Sequence, residues 1–420
     1  MADTIATLEI NDQGIRLNHP EETRVSPAYA LFEGQWLTLG EDAQSQFRLR
    51  PLASNNQFWN QLSLEPLANA SALIKHPADL VYHQLRALFD GLGSNNLLIV
   101  LPGYFSDEQL SLLLGICQSL QQQVCGLVDA ALVGSSAMAD GRYLHLDMHL
   151  HQSVLSSIDI HDRQASKVHS ALIAGCGRAQ LNDAWVRAIS DEFIRQTRFN
   201  PRHVAEHEQT LYNQLDEWQR ALLAGETKLT VADYSITTGF ATLQQASRRF
   251  LEPLLEAISE QSGRRLLLSH QAAALQSLDK RFAGGQLLGA DTVSEQCQHL
   301  LPQLVVDDPD EGVAFAEHLI LPAHHATPAA EKHAPATHVL LGNSAYAITE
   351  LWLDAEQPGA SSQPPADSLC RLERHQDRTL LSHSSPDCTL NGEPAVAGTE
   401  LQAGDRLANA QLEYRLIQVH

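Results

Sequence analysis

The sequence predicts an α/β domain followed by a small all-β sandwich, and three observations predict it. The run 97–136 reads as buried strand, turn, helix, strand and helix in succession. Three stretches with apolar residues at helical spacing follow, at 181–193, 206–223 and 240–260, preceded by a strand-like segment at 141–160 and followed by one at 265–268. From Leu319 to Thr337 the composition turns to His, Ala and Pro, and the remainder alternates between apolar and polar residues with turn formers between. The expected division is 1–318 for the α/β domain, 319–337 for a flexible linker and 338–420 for the sandwich.

In order along the chain, IATLEINDQGIRL (5–17) reads as a β-hairpin with Asp12-Gln13-Gly14 at its turn. Residues 24–46 hold two strands joined by Glu33-Gly34 and then a helix start at Leu39-Gly40-Glu41-Asp42-Ala43. In the central run, LLIVL (97–101) is a buried strand and Pro102-Gly103 a turn. Ser106 can cap the next helix, and Asp107 and Glu108 place negative charge where the helix dipole favours it. Leu110, Leu113, Leu114 and Cys117 recur at helical spacing, and 124–128 is a second strand. GRYLHLDMHLHQSVLSSIDI (141–160) alternates strictly, as a half-buried strand does. The helix at 206–223 carries Leu211, Leu215, Trp218 and Leu222 on one face. Residues 265–268 are a short apolar strand, and 284–296 close the domain. In the sandwich, strands are expected at 370–381, 389–392, 401–407 and 414–419.

A chain of 420 residues can bury a large core, and 44% hydrophobic with 19% charged residues describes a soluble globular protein. The formal charge of −22 argues against nucleic acid or an anionic membrane as partner. Residues 1–11 carry Asp3 and Glu9 and no basic run, so no secretory leader is expected. Six cysteines without a C-x-x-C pair read as reduced thiols, consistent with a cytoplasmic protein.

The segment Val100–Gln109 (VLPGYFSDEQ) resembles the V-P-A-Y-F-N-D-x-Q run of the heat-shock protein 70 (DnaK-type) chaperones. Asn55-Asn56-Gln57-Phe58-Trp59 resembles that family's N-T-x-F, Asp191-Glu192-Phe193 its D-E-F, and Leu251-Glu252-Pro253 its L-E-P. The matches keep their order over about residues 5 to 305. They imply a two-lobed actin/heat-shock-70-like ATPase fold. The tail, with Asn391-Gly392 and Leu401-Gln402-Ala403-Gly404-Asp405-Arg406-Leu407, resembles the second half of a forkhead-associated (FHA) β-sandwich.

An ATPase of that fold grips phosphates with glycine-rich hairpins and holds Mg²⁺ through carboxylates. The resemblance maps the first hairpin onto Glu9, Asp12 and Gly14, with no threonine pair. The family's lysine falls at Asn60 or Gln61, its N-E-P-T glutamate at Asp129, and its adenine-stacking basic residue at Arg220 after Gln219. Its D-x-G-G-G-T hairpin becomes Asp147-Met148-His149-Leu150-His151-Gln152, whose side chains occupy the phosphate space. Its adenosine glycines become Ser269 and His270. Glu9, Asp12, Gly14, Asp129, Asp147 and Arg220 are therefore a remnant nucleotide cleft, and no hydrolysis is expected.

His145, Asp147, His149 and His151 alternate, so on a strand they share one face. They can chelate zinc or another transition metal, or fill the vacated cleft with hydrogen-bonded polar groups. His318, His324, His325 and His333 read as linker composition. In the sandwich the phosphate-reading positions of the FHA family fall on Gly342-Asn343 and about 366–369, without the arginine that a phosphothreonine needs. The expectation is a catalytically inactive, chaperone-like pseudo-ATPase with no cofactor, acting in a bacterial cytoplasm as an adaptor or scaffold for other proteins. Two alternatives remain: an ATP/Mg-binding heat-shock-70-like chaperone and a phosphopeptide-binding adaptor.

Overall fold

A computed structural model describes residues 5–20, 22–306, 313 and 315–321. Beyond these it describes 336–341, 344–355, 359–361, 363, 365, 368–375, 378–385, 387–390, 393–395, 398–401, 405–409 and 412–417. Its contacts divide the chain into two units, 1–326 and 327–420.

The first unit begins with β1 (Ile5–Glu9), β2 (Ile15–His19), β3 (Glu22–Ser26), β4 (Ala30–Glu33), β5 (Trp36–Leu39), α1 (Glu41–Gln44) and β6 (Ser54–Asn55). Next come α2 (Pro77–Phe89), β7 (Asn96–Leu101), α3 (Asp107–Ser119), β8 (Gln123–Asp129), α4 (Ala130–Ser135), β9 (Gly141–Met148), β10 (Gln152–His161) and β11 (Gln164–Ala174). After them run α5 (Arg178–Thr197), α6 (Ala205–Leu223), β12 (Lys228–Val231), β13 (Tyr234–Thr237) and α7 (Phe240–Glu260). The unit continues with β14 (Arg265–Leu268), α8 (Lys280–Ala283), β15 (Gln286–Leu287), α9 (Thr292–Leu304), β16 (Phe315–Ala316) and β17 (His318–Ile320).

Two sheets carry the unit, and they share a plan. In the first, ordered β16-β8-β7-β1-β2-β3, an antiparallel meander of β1, β2 and β3 is extended on its β1 side by parallel strands. In the second, ordered β15-β14-β9-β10-β11-β17, the meander is β9, β10 and β11, and β14 and β15 lie parallel beside β9. Parallel strands covered on both faces are continuous apolar runs. In β7, Leu97, Ile99 and Leu101 pack into a core with Leu85, Leu113 and Cys117. Its alternate residues Leu98 and Val100 face a different core, with Val128, Leu132 and Leu300. Ser106 caps α3 as expected, in a reciprocal capping box with Gln109. The apolar face of α6, Leu211, Leu215, Trp218 and Leu222, lies in the second sheet's core with Trp185 and Phe193.

The structure corrects three expectations. Residues 141–160 are two antiparallel strands, not one, turning at His149-Leu150-His151. Tyr143 to Met148 are all buried, because β9 lies inside its sheet with cores on both faces. The linker does not begin at 319: Leu319 is buried in β17, paired to Ala165 of β11. His318 belongs to that strand, 3.1 Å from Ser166 Oγ, whereas 322–335, with the other three histidines of that group, lie outside the described residues.

The second unit is all β among the described residues. Its strands are β18 (His338–Leu341), β19 (Ser344–Ala347), β20 (Glu350–Asp354), β21 (Ala360–Ser361), β22 (Ser368–His375) and β23 (Arg378–Ser384). They are followed by β24 (Thr389–Leu390), β25 (Glu393–Pro394), β26 (Glu400–Leu401), β27 (Arg406–Ala408) and β28 (Glu413–Ile417). They form sheets β19-β18-β28-β27-β24-β25 and β21-β20-β22-β23-β26, sharing a core of Val339, Leu353, Leu372, Leu381 and Tyr414. The stretch 370–381 spans a hairpin, β22 against β23, rather than one strand. Gly342-Asn343 and Asn391-Gly392 lie outside the described residues. All six cysteines are buried free thiols, and no described helix is long and apolar enough to cross a membrane.

Candidate functional site

The first turn of each meander meets the other, and the candidate site is where they touch. Asn11, after β1, donates from Nδ2 to Asp147 Oδ1 (3.1 Å) and to the Met148 carbonyl (3.0 Å). Gln13 Nε2 donates to the same carbonyl (2.7 Å). In return the Leu150 N–H donates to Asp12 Oδ1 at 2.6 Å. Two hairpins from distant parts of the chain are thereby stitched together.

His149 lies between them. Its Nε2 is 3.1 Å from Asp147 Oδ2 and its Nδ1 is 3.4 Å from Asp12 Oδ1, and the imidazole is fully buried. Burial opposes a charge on it, but Asp147 and Asp12 outweigh that and raise it to about 10, so it is an imidazolium at neutral pH. Burial likewise opposes ionisation of Asp147, and the His149 charge overcomes it, holding Asp147 down to about 2. Tyr104 packs edge-on against His149, ring centroids 5.3 Å apart, and burial raises its phenol well above the usual range.

The same turn occupies a helix end. The first N–H groups of a helix are available to an anion. At α5 the N–H groups of Arg178 and Ala179 instead donate to the carbonyls of His149 and Leu150, each at 2.8 Å. Gly177 makes this approach possible, since a Cβ there would lie 2.3 Å from the Leu150 oxygen.

Glu9 is buried at the end of β1, and burial, with Asp147 nearby, pushes it up to about 7. Glu9 Oε2, His145 Nδ1 and Ser269 Oγ have no hydrogen-bond partner, and their residues line a cavity of about 10 Å³. Burial also lowers the His145 imidazole, which favours its neutral form. No protein-family model matches the chain, and no curated protein does either.

Asp129 stands apart from this cluster. It caps α4 by accepting from the Ala131 and Leu132 N–H groups, and its other oxygen lies 2.8 Å from Lys167 Nζ. Lys167, on β11, had no signal in the sequence. Asn60 and Gln61 bring no charge, and neighbouring Trp59 is buried, donating to Gln84. Gly14 and Arg220 line a separate cleft of about 390 Å³ with Arg16, Arg178, Gln219 and His270. Arg16 is paired there with Asp291 and Arg178 with Asp216.

The four residues read as metal ligands do not converge. The strand ends at Met148, and the turn carries His151 away, to Asn56 through Nε2 (3.1 Å) and to Gln180 through Nδ1 (3.3 Å). No three of the ligand atoms of His145, Asp147, His149 and His151 lie within 4.8 Å of one another. A cation at Asp147 would also face the His149 charge. Among the described residues the group with metal-like spacing is Asp140, His161 and Asp162, all exposed. Asn11 and Tyr104, which also pack into this cluster, carry no site signal of their own in the sequence. Their partners are distant in sequence, so local pattern could not assign them a role.

Proposed function

We propose that the first unit is a two-lobed actin/heat-shock-70-like fold whose nucleotide cleft is plugged from within, and that the second is an FHA-like sandwich. The protein then works as a catalytically inactive, chaperone-like adaptor or scaffold that binds other proteins. The observation carrying this is the fully buried His149 ring lodged between Asp12 and Asp147. A phosphate loop needs free N–H groups and room for oxygens. Here the Leu150 N–H is spent on Asp12, and the α5 N-terminus is spent on the turn itself. Inserting a polyphosphate would bring its charge against two carboxylates and expel the imidazole that neutralises them.

The second reading, an ATP-binding chaperone, draws on the neighbouring cleft with Gly14, Arg16 and Arg220. Thermal melts with and without ATP and Mg²⁺, beside a phosphate-release assay, separate the two. No shift and no hydrolysis above background are expected. Ligand at a hundredfold over its dissociation constant would stabilise by about 2.7 kcal/mol, which a melt resolves. A magnesium-dependent rise in melting temperature would replace the adaptor reading with the chaperone one.

A further inference from the structure

A second cavity, about 340 Å³, lies between the α1 region and helices α5 and α6. Five carboxamides line it: Gln44, Asn56, Asn182, Gln209 and Asn213. We propose that this pit binds an uncharged sugar or polyol.

The charges at the pit exclude other ligands. The Arg48 guanidinium is taken up by Asp183 at 2.8 Å and lies 3.9 Å above the Tyr212 ring. Asp216 is paired with Arg178, and Glu41 adds a negative charge at the rim. A phosphate or carboxylate ligand therefore finds no uncommitted arginine and meets Glu41. An apolar ligand would strip water from the exposed Gln44 amide without replacing its hydrogen bonds.

The amides themselves suit hydroxyl groups. Each hydroxyl both donates and accepts, and a carboxamide offers an acceptor and a donor side by side. Gln209 is pinned, accepting from the Arg48 N–H (2.6 Å) and donating to the Gln44 carbonyl (3.1 Å) and to Asn213 Oδ1 (2.8 Å). That fixes which way Asn213 faces. Asn182 Oδ1 is buried without a partner, so turning this amide toward a ligand would cost the protein no hydrogen bond at that oxygen. The volume is in the range that encloses a small molecule.

The test is saturation-transfer NMR and calorimetry on the full chain with D-glucose, D-galactose, D-mannose, N-acetylglucosamine, maltose and myo-inositol. At least one is expected to bind in the millimolar range or tighter. Asn182→Ala and Asn213→Ala should each weaken it by about three- to tenfold, the loss of one neutral hydrogen bond. Asn182 Oδ1 makes no bond within the protein, so that variant should melt like the wild type. If it does not, Asn213→Ala on the exposed side of α6 carries the test. Silence from every probe overturns the proposal, as does binding unchanged in both variants. Binding of a neutral peptide such as tetraglycine at these residues, with no sugar bound, also overturns it.

Discussion

Replacing His149 by glutamine should expose what the plug contributes. The change keeps a polar group of similar reach but removes the charge between Asp12 and Asp147, both buried. Breaking a buried ion pair by removing one partner costs about 3–5 kcal/mol, because the remaining charge is stranded. For a unit of this size that corresponds to a fall in melting temperature of roughly 4–7 °C.

The pH dependence gives the more specific signature. His149 is raised to about 10, so its stabilisation is complete below its ordinary value near 6.5 and is lost as pH rises through about 10. Asp147 is held down to about 2, so its contribution is present above about 3.8 and is lost as pH falls through about 2. Wild type should therefore lose stability between neutrality and pH 10. In His149→Gln that alkaline arm should vanish. Burial would then raise the Asp147 carboxyl, so the variant should be relatively most stable at acid pH and weaken as it ionises. Glu9, pushed up to about 7, adds a loss on the way to neutral pH in both proteins, so the difference between the two melting profiles is the quantity to read. The triple change Asp12→Asn, Asp147→Asn, His149→Leu should recover much of the loss, since replacing a whole buried ion cluster is often near neutral. Profiles that superimpose, with melting temperatures within a degree, would refute the imidazolium assignment.

Other sites give independent tests. Lys167→Met leaves the fully buried Asp129 with its two backbone donors but no cation, and should cost about 2–3 kcal/mol in chemical denaturation. Gly177→Ala places a Cβ 2.3 Å from the Leu150 oxygen, so the 149–151 turn must move off the α5 end. A loss of about 3 kcal/mol is expected, together with changed fluorescence from Tyr104. In the second unit the Tyr414 hydroxyl donates to the Asp354 carbonyl at 2.7 Å, so Tyr414→Phe should lower that unit's stability by about 1 kcal/mol and leave the first unit's transition unchanged.

Much of the secondary structure is written locally. The capping box at Ser106 and Gln109 starts α3, five consecutive apolar residues make the buried part of β7, and Leu243, Phe250, Leu251 and Leu254 recur at helical spacing through α7. The hairpin at Asp12-Gln13-Gly14 and the turn at Gly34 are likewise set by which residues tolerate the bend, and Gly34 takes a positive φ of 60°. The turn at His149-Leu150-His151 was not legible, because the polar alternation runs through it in phase and no Gly, Pro or Asn marks the reversal. The same alternation suggested a shared face, whereas only tertiary contacts decide that His149 turns to Asp12 and His151 to Asn56. Asn11 and Asp147 are 136 residues apart, and Lys167 and Asp129 belong to different sheets. Local propensity acts over a few residues, whereas a buried charge is decided by whichever partner the completed sheets bring within about 3 Å. The sequence alone determined elements such as α3, the buried run of β7 and the apolar faces of α6 and α7. The tertiary structure decided that the 149–151 turn folds back against the first hairpin, so that a buried imidazole lies between two carboxylates.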